Sequence, residues 1–257
     1  MPLPILVVNP NTTKAMTDGL EVALQPIVES GRLPSPTYYT APSGISSING
    51  SEDCHASAEA VLPTLLASSA SSPSLLSQHS ATLIACYSVH PLVPLLLAAQ
   101  EPPKPVLGIF EASILGSLAV CLRPEDRFGI VTTGAVWDEI LTRGVRDYFG
   151  NSPEGGSKFA GVETTGLTAI ELHETAPEEV TRRLRAAVRR LIRRCRAEEG
   201  ELRAVCLGCA GMVGFDEAIR EGCIEELGEV AGRRVSIVDG VKVGYALLEG
   251  MVRTGLA

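Results

Sequence analysis

A short pattern that recurs along the chain narrows its folding options most. An apolar run of strand length stops abruptly at a polar or small residue, and a segment of helical length follows. The clearest copy lies between Ala81 and Pro94, where Leu83, Ile84 and Ala85 stop at Cys86 and residues 92–99 have helical length. The same grammar returns between Leu202 and Met212, with Cys209 at the corresponding place. A thiol at the start of a helix would lie among unpaired backbone N–H groups at the positive end of the helix dipole, which favours thiolate.

Other copies carry polar residues at the junction. Residues 5–8 run into Asn9-Pro-Asn-Thr-Thr13, whose side chains can cap a helix over 13–28 or grip a polar ligand. A strand at 37–41 precedes a polar, Gly-rich loop over 42–51 and a helix over 52–67. Residues 68–80 form a Ser-rich surface connection. A strand at 106–109 leads into a small-residue helix reaching about Cys121. From Arg127 the pattern restarts: strand 128–131, the polar end Thr132-Thr-Gly134, helix 136–148, loop 151–157, strand 159–163 and a long helix over 177–199. Strand 205–209, a helix from near Phe215, strand 234–238 and a helix opening at Asp239-Gly240 close the chain. Strands alternating with helices predict parallel sheets and the α/β class. Parallel crossovers bring Asn9, Cys86, Thr132 and Cys209 to functional rims at strand carboxyl ends.

Length allows one large domain or two lobes: 257 residues with 45% hydrophobic and 20% charged side chains describe a chain with an ample core. A net charge of −8 argues against nucleic acid or an anionic membrane as partner. No apolar run approaches the roughly 18–20 residues of a membrane span. The first ten residues lack a basic region and read into a strand, so no leader is expected. Seven cysteines, an odd number, fit reduced thiols in a cytoplasmic protein. The arginines of the 177–199 helix resemble a nucleic-acid stripe, yet Leu184, Val188, Leu191, Ile192 and Cys195 recur at helical spacing. A solvated amphipathic helix accounts for both.

Cys54, Cys121, Cys195 and Cys223 read as buried, inert thiols, the common fate of cytosolic cysteine. Cys86 and Cys209, each at a strand-to-helix junction, form a candidate pair. Cys206-Leu-Gly-Cys209 is formally a C-x-x-C, but Cys206 falls inside the strand and should point elsewhere; no further ligands complete a metal cluster. His90, four residues after Cys86, could polarise the thiol or contact a substrate, and the same spacing suits a histidine that caps a helix turn. No phosphate-loop or dinucleotide fingerprint is present.

Val8-Asn-Pro-Asn-Thr-Thr13, Ala85-Cys-Tyr-Ser88, Pro105-Val-Leu-Gly-Ile-Phe-Glu-Ala112, Gly129-Ile-Val-Thr-Thr133 and Leu207-Gly-Cys-Ala-Gly-Met212 together resemble the Asp/Glu/hydantoin racemase superfamily, in its hydantoin and allantoin racemase branch. Ser47-Ile-Asn-Gly50 looks like a divergent form of that family's Ser-Ile-Glu-Gly loop. Where hydantoin racemases continue the first cysteine motif with Asp-Pro-Gly, this chain has Val89-His-Pro91, as in fungal members associated with allantoin use.

The resemblance implies two pseudo-symmetric α/β lobes, each with a mainly parallel sheet flanked by helices. Residues 1–114 plus about 240–257 would form one and 115–239 the other, with the active site in the cleft between them. It also implies no cofactor, no metal and assembly as a homo-oligomer. The substrate would be a small cyclic ureide or hydantoin, with Cys86 and Cys209 alternating as base and acid at the ring carbon. The enolate oxygen would need donors: the amides after each cysteine, Ala210 among them, and the hydroxyls of Ser88, Thr132 or Thr133. Asn11 would hold the ring's polar edge and Ile48 pack on the ring, with Tyr87 and His90 at positions that select substrate. Two other readings are an isomerase or decarboxylase of a small dicarboxylic acid, and a non-catalytic ligand-binding or regulatory protein. The motif segments carry no Arg or Lys beside a cysteine, and Lys14 is the nearest cation in sequence, which favours a neutral ring.

Overall fold

The computed structural model describes residues 3–31, 33–69, 73–150 and 158–256. The loop expected at 151–157, and part of the Ser-rich connection, lie outside them. The chain divides into two compact units, Met1–Ala112 with Val241–Ala257, and Ser113–Gly240.

In the first unit the elements run β1 (Ile5–Asn9), α1 (Lys14–Glu29), β2 (Thr37–Thr40), α2 (Ser51–Leu66), β3 (Ala81–Ile84), α3 (Leu92–Ala98), β4 (Val106–Gly108) and the start of α4 (Ile109–Leu118). Its sheet has the order β2-β1-β3-β4, and every pairing is parallel. β1 and β3 are buried along their full length because helices cover both faces of a parallel sheet, so the run needs no polar face. Leu6, Val8 and Ile84 pack with Val61, Leu65, Leu92 and Leu96 in one core.

In the second unit follow β5 (Asp126–Thr132), α5 (Val136–Tyr148), β6 (Phe159–Thr164), α6 (Glu171–Glu174), α7 (Pro177–Ala197), β7 (Glu201–Leu207), α8 (Asp216–Leu227), α9 (Glu229–Arg234) and β8 (Ser236–Val238). The sheet order is β6-β5-β7-β8, again all parallel. The closing helix α10 (Gly240–Thr254) belongs almost wholly to the first unit. Gly244 is needed there: a Cβ on it would stand 2.7 Å from Leu83 and 3.1 Å from Ala112.

Both sheets follow one plan, in which the first strand of each unit lies second and pairs with the third. Val8 pairs with Ile84 and Val131 with Leu207. The next amide closes the ladder identically, Ala85 N–H on Val8 O and Gly208 N–H on Val131 O, both at 2.8 Å. Cys86 and Cys209 therefore follow their third strands at the same distance, two residues past the last strand residue.

The arginine-rich helix α7 buries Val180, Leu184, Val188, Leu191, Ile192 and Cys195, as the spacing predicts. Its arginines meet carboxylates: Arg182 and Arg183 pair with Glu179, Arg185 with Glu221 and Glu225, Arg190 and Arg194 with Glu163, and Arg193 with Glu226. Neutralised in this way, the stripe offers little to a polyanion. The short helices α6 and α9 have no counterpart in the sequence reading, since four and six residues are too few for a hydrophobic period. Among the described residues no helix is long and apolar enough to cross a membrane.

Candidate active site

In the first unit four segments gather at the carboxyl edge of the sheet, held by hydrogen bonds. Asn9, buried at the end of β1, donates from Nδ2 to Asn11 Oδ1 (3.2 Å), Thr13 O (3.1 Å) and Thr17 Oγ1 (3.0 Å). Asn11 Oδ1 also accepts from Thr13 N–H at 2.9 Å, and its Nδ2 faces Met16 Sδ at 3.2 Å. These amides shape the loop and do not cap α1. Thr13, at the N-cap position, makes no cap bond and donates instead to Ser46 O at 2.7 Å. That bond and Thr12 N–H on Ile45 O (3.0 Å) fasten the 42–50 loop, whose Ile48 is buried, to the loop after β1. Ser57 Oγ on Pro10 O (2.6 Å) draws in the start of α2.

Cys86 lies in the turn between β3 and α3, partly exposed. Here the structure corrects the sequence reading: α3 begins six residues later, at Leu92, so the thiol lies outside the helix terminus and its dipole. Its immediate polar surroundings are side chains. Ser88 Oγ, fully buried, lies 3.4 Å from Cys86 Sγ and 3.4 Å from Cys54 Sγ, with the Cys54 thiol donating. Cys54 is thus no inert core thiol. It sits in the first turn of α2, and its pKa is held below the usual thiol range by hydrogen bonding with Cys86, against the opposing effect of burial. Cys121, Cys195 and Cys223 do fit the inert reading, since burial pushes them up to about 12, 11 and 11.

In the 87–91 stretch the side chains divide sharply. Val89 is exposed, whereas Tyr87 is buried edge-on to Phe110 with ring centroids 5.7 Å apart, and His90 is only 1% exposed. His90 Nδ1 accepts from Leu92 N–H at 3.3 Å, the helix-turn role that its spacing allowed. Burial, and then the charge of His55, lower its pKa to about 4, so the imidazole is neutral near pH 7.

The second unit uses different means. Cys209 follows β7 and opens a single 3-10 turn over Ala210–Met212 instead of an α-helix; α8 begins at Asp216. Gly211 N–H donates to Cys209 Sγ at 3.3 Å. Burial nevertheless raises this thiol to about 11, with the Gly211 amide a smaller opposing influence. A short turn supplies one amide where a long helix would supply a macrodipole. Thr132, wholly buried, donates its hydroxyl hydrogen to Gly208 O at 2.6 Å and is not a free donor; Thr133 is buried beside it. Gly208 has no alternative: a Cβ would meet Thr132 Cβ at 2.5 Å and Val131 O at 2.7 Å. Cys206 points away from Cys209, toward Ser117 Oγ at 3.1 Å.

Sequence reasoning missed three residues. Cys54 has no spacing relation to Cys86; its only signal is its place just after the Ser-Ile-Asn-Gly loop. Glu111, in the first turn of α4, folds over Gly108, where a Cβ would lie 2.2 Å from its Oε2. Among the described residues that buried oxygen has no hydrogen-bond partner, and desolvation raises the carboxyl to about 7. His173, from α6, brings Nε2 to 3.2 Å from the place a Gly211 Cβ would take, and its ring lies tilted beside Phe215 with centroids 6.3 Å apart.

Two parallel α/β units of one strand order, each carrying a thiol two residues past its third strand, have the architecture of a racemase-type isomerase. Residues 5–248 match the Asp/Glu/hydantoin racemase family; the chain belongs to that family and is an enzyme of the isomerase class. It is 30% identical over 256 residues to a hydantoin racemase of Pseudomonas sp. (strain NS671), covering 98% of this chain and 86% of the relative. Among solved structures it is similar to an allantoin racemase from Pseudomonas fluorescens, with TM-score 0.71, 25% identity and coverage of 98% and 92%. An allantoin racemase from Klebsiella pneumoniae is similar at TM-score 0.70, 28% identity and coverage of 99% and 89%.

Proposed function

We propose that the protein racemises allantoin or a 5-substituted hydantoin without a cofactor, by proton transfer between Cys86, Cys209 and the ring carbon next to the carbonyl. One observation carries the reading: two thiols occupy equivalent places beyond the third strands of two sheets with the same order.

Racemisation removes the hydrogen from one face of that carbon and returns one to the other, so it needs one anionic base and one protonated acid. The environments of the two thiols supply that inequality. Cys86 belongs to a hydrogen-bonded thiol–hydroxyl–thiol group in which one negative charge can be shared, and Ser88 can donate to it. Cys209, raised to about 11, keeps its proton near pH 7. For one enantiomer Cys86 thiolate takes the ring hydrogen, charge moves onto the carbonyl oxygen, and Cys209 protonates the opposite face. The other enantiomer runs through the reversed protonation states. Donors for the oxygen are the backbone amides after each cysteine, including that of Ala210, together with Thr133. Asn11 and Ile48 hold and cover the ring. Tyr87 and His90 are both buried and the His90 imidazole is neutral, which fits selection of an uncharged ring.

The test is polarimetry of both enantiomers in D2O, with mass spectrometry for exchange at the ring carbon. Cys86→Ala and Cys209→Ala each lose at least about a thousandfold in racemisation, the range of a missing acid or base. Full racemisation by either variant would end the two-thiol reading.

A further inference from the structure

The mechanism leaves Cys54 without a chemical task, although it is the residue most closely joined to Cys86. Both sulfurs and one ring nitrogen of His90 lie within 4.8 Å of one another. Three such donors invite a metal reading, but the imidazole argues against it. A metal-bound histidine donates its other N–H outward to an acceptor. Here Nδ1 accepts from Leu92 N–H, so the neutral ring carries its hydrogen on Nε2, a buried atom with no hydrogen-bond partner among the described residues. Coordination through either nitrogen would disrupt this arrangement. What remains is a pair of adjacent thiols of unequal exposure: Cys86 partly open, Cys54 buried behind it.

We propose that Cys54 is the resolving thiol of Cys86, and that peroxide converts the two into a reversible disulfide that withdraws Cys86 from proton transfer. In the first step Cys86 thiolate attacks one peroxide oxygen. An S–O bond forms, the O–O bond breaks, sulfur loses two electrons to the peroxide, and the hydroxide released is protonated to water. In the second, Cys54 sulfur attacks the sulfenic sulfur; the S–S bond forms, the S–O bond breaks, and hydroxide leaves with the Cys54 proton as water. The sum is two thiols and one hydrogen peroxide to one disulfide and two waters. A dithiol reductant reverses it with two electrons and two protons. Both sulfurs share Ser88 Oγ as a neighbour, at 3.4 Å from each, so small side-chain rotations bring them together. Capture by Cys54 also stops oxidation before the sulfinic acid, which a thiol cannot reverse.

The full-length protein treated with hydrogen peroxide, alkylated and digested without reduction tests this. The expected product is a peptide pair joined through Cys54 and Cys86 and lighter by two hydrogens, together with a loss of about tenfold or more in racemisation, restored by dithiothreitol. Cys54→Ser, read against its own untreated rate, loses activity that dithiothreitol does not restore, and Cys86 gains two oxygens. If wild-type Cys86 instead accumulates sulfenic or sulfinic acid while Cys54 remains alkylatable, the proposal fails. A disulfide joining Cys86 to another cysteine overturns it equally. The loss of activity rests on the racemase reading, but the peptide map stands without it, so the two failures are distinguishable.

Discussion

The two units place their thiols on the same backbone frame and surround them differently. In the first, Cys86 emerges from a turn and meets side chains, Ser88 and Cys54, supplied by its own turn and by the helix after the second strand. In the second, Cys209, also partly exposed, meets the Gly211 amide, and burial lifts its thiol to about 11. A repeated fold therefore fixes position and leaves acidity to local polar groups. The two-thiol proton transfer proposed above asks for this combination: equivalent backbone positions, with surroundings that leave one thiol protonated.

The largest expected effect concerns that inequality directly. Alkylation by iodoacetamide at pH 7, followed site by site, should be about a hundredfold slower at Cys209 than at an ordinary thiol, because burial lifts it from 9.0 to about 11 and only the thiolate reacts, and faster at Cys86. Equal rates would erase the difference between the two surroundings. Next comes the frame. Gly208 aligns with Ala85, so Gly208→Ala makes the two units alike in sequence at that place. It should cost about 2–3 kcal/mol in urea unfolding, because the new methyl meets Thr132 and Val131. Unchanged stability would show that the second unit tolerates the first unit's residue.

The smallest effect is expected at the end of the first unit's fourth strand, which buries a strongly shifted carboxyl, Glu111. Its folded pKa of about 7 lies above the ordinary 4.5. Between those values the folded chain holds a proton that the unfolded chain has released, so wild-type stability should fall as pH rises from 4.5 to 7 and level off above it. Glu111→Gln should flatten that slope and leave the protein more stable than wild type at pH 8, on the order of 2 kcal/mol by urea midpoint. A variant whose pH profile matched wild type would remove Glu111 as the cause.

Much of the fold was legible in the sequence. Residues 5–8, 83–84 and 128–131 are apolar and β-branched because parallel strands are covered on both faces, and that burial writes itself as an unbroken run. Helix α5 and the start of α7 were readable to the residue, from hydrophobic period and from Pro177. The short helices at Glu171–Glu174 and Glu229–Arg234 were not, because one turn carries no period.

At the candidate site, the two cysteines stood out because a strand ending in a thiol is a local signal. What surrounds each thiol was not local. The amides of Asn9 and Asn11 looked like helix caps, and the structure uses them to shape a loop. The helix dipole expected at Cys86 is replaced by Ser88 and by Cys54, which is remote in sequence. The sequence by itself determined an alternating α/β chain with thiols at two matching strand ends, because burial and turn chemistry act over a few neighbouring residues. Only the tertiary structure decided which thiol meets side-chain partners and which is raised by burial, because hydrogen bonding and desolvation depend on groups that folding brings together from distant parts of the chain.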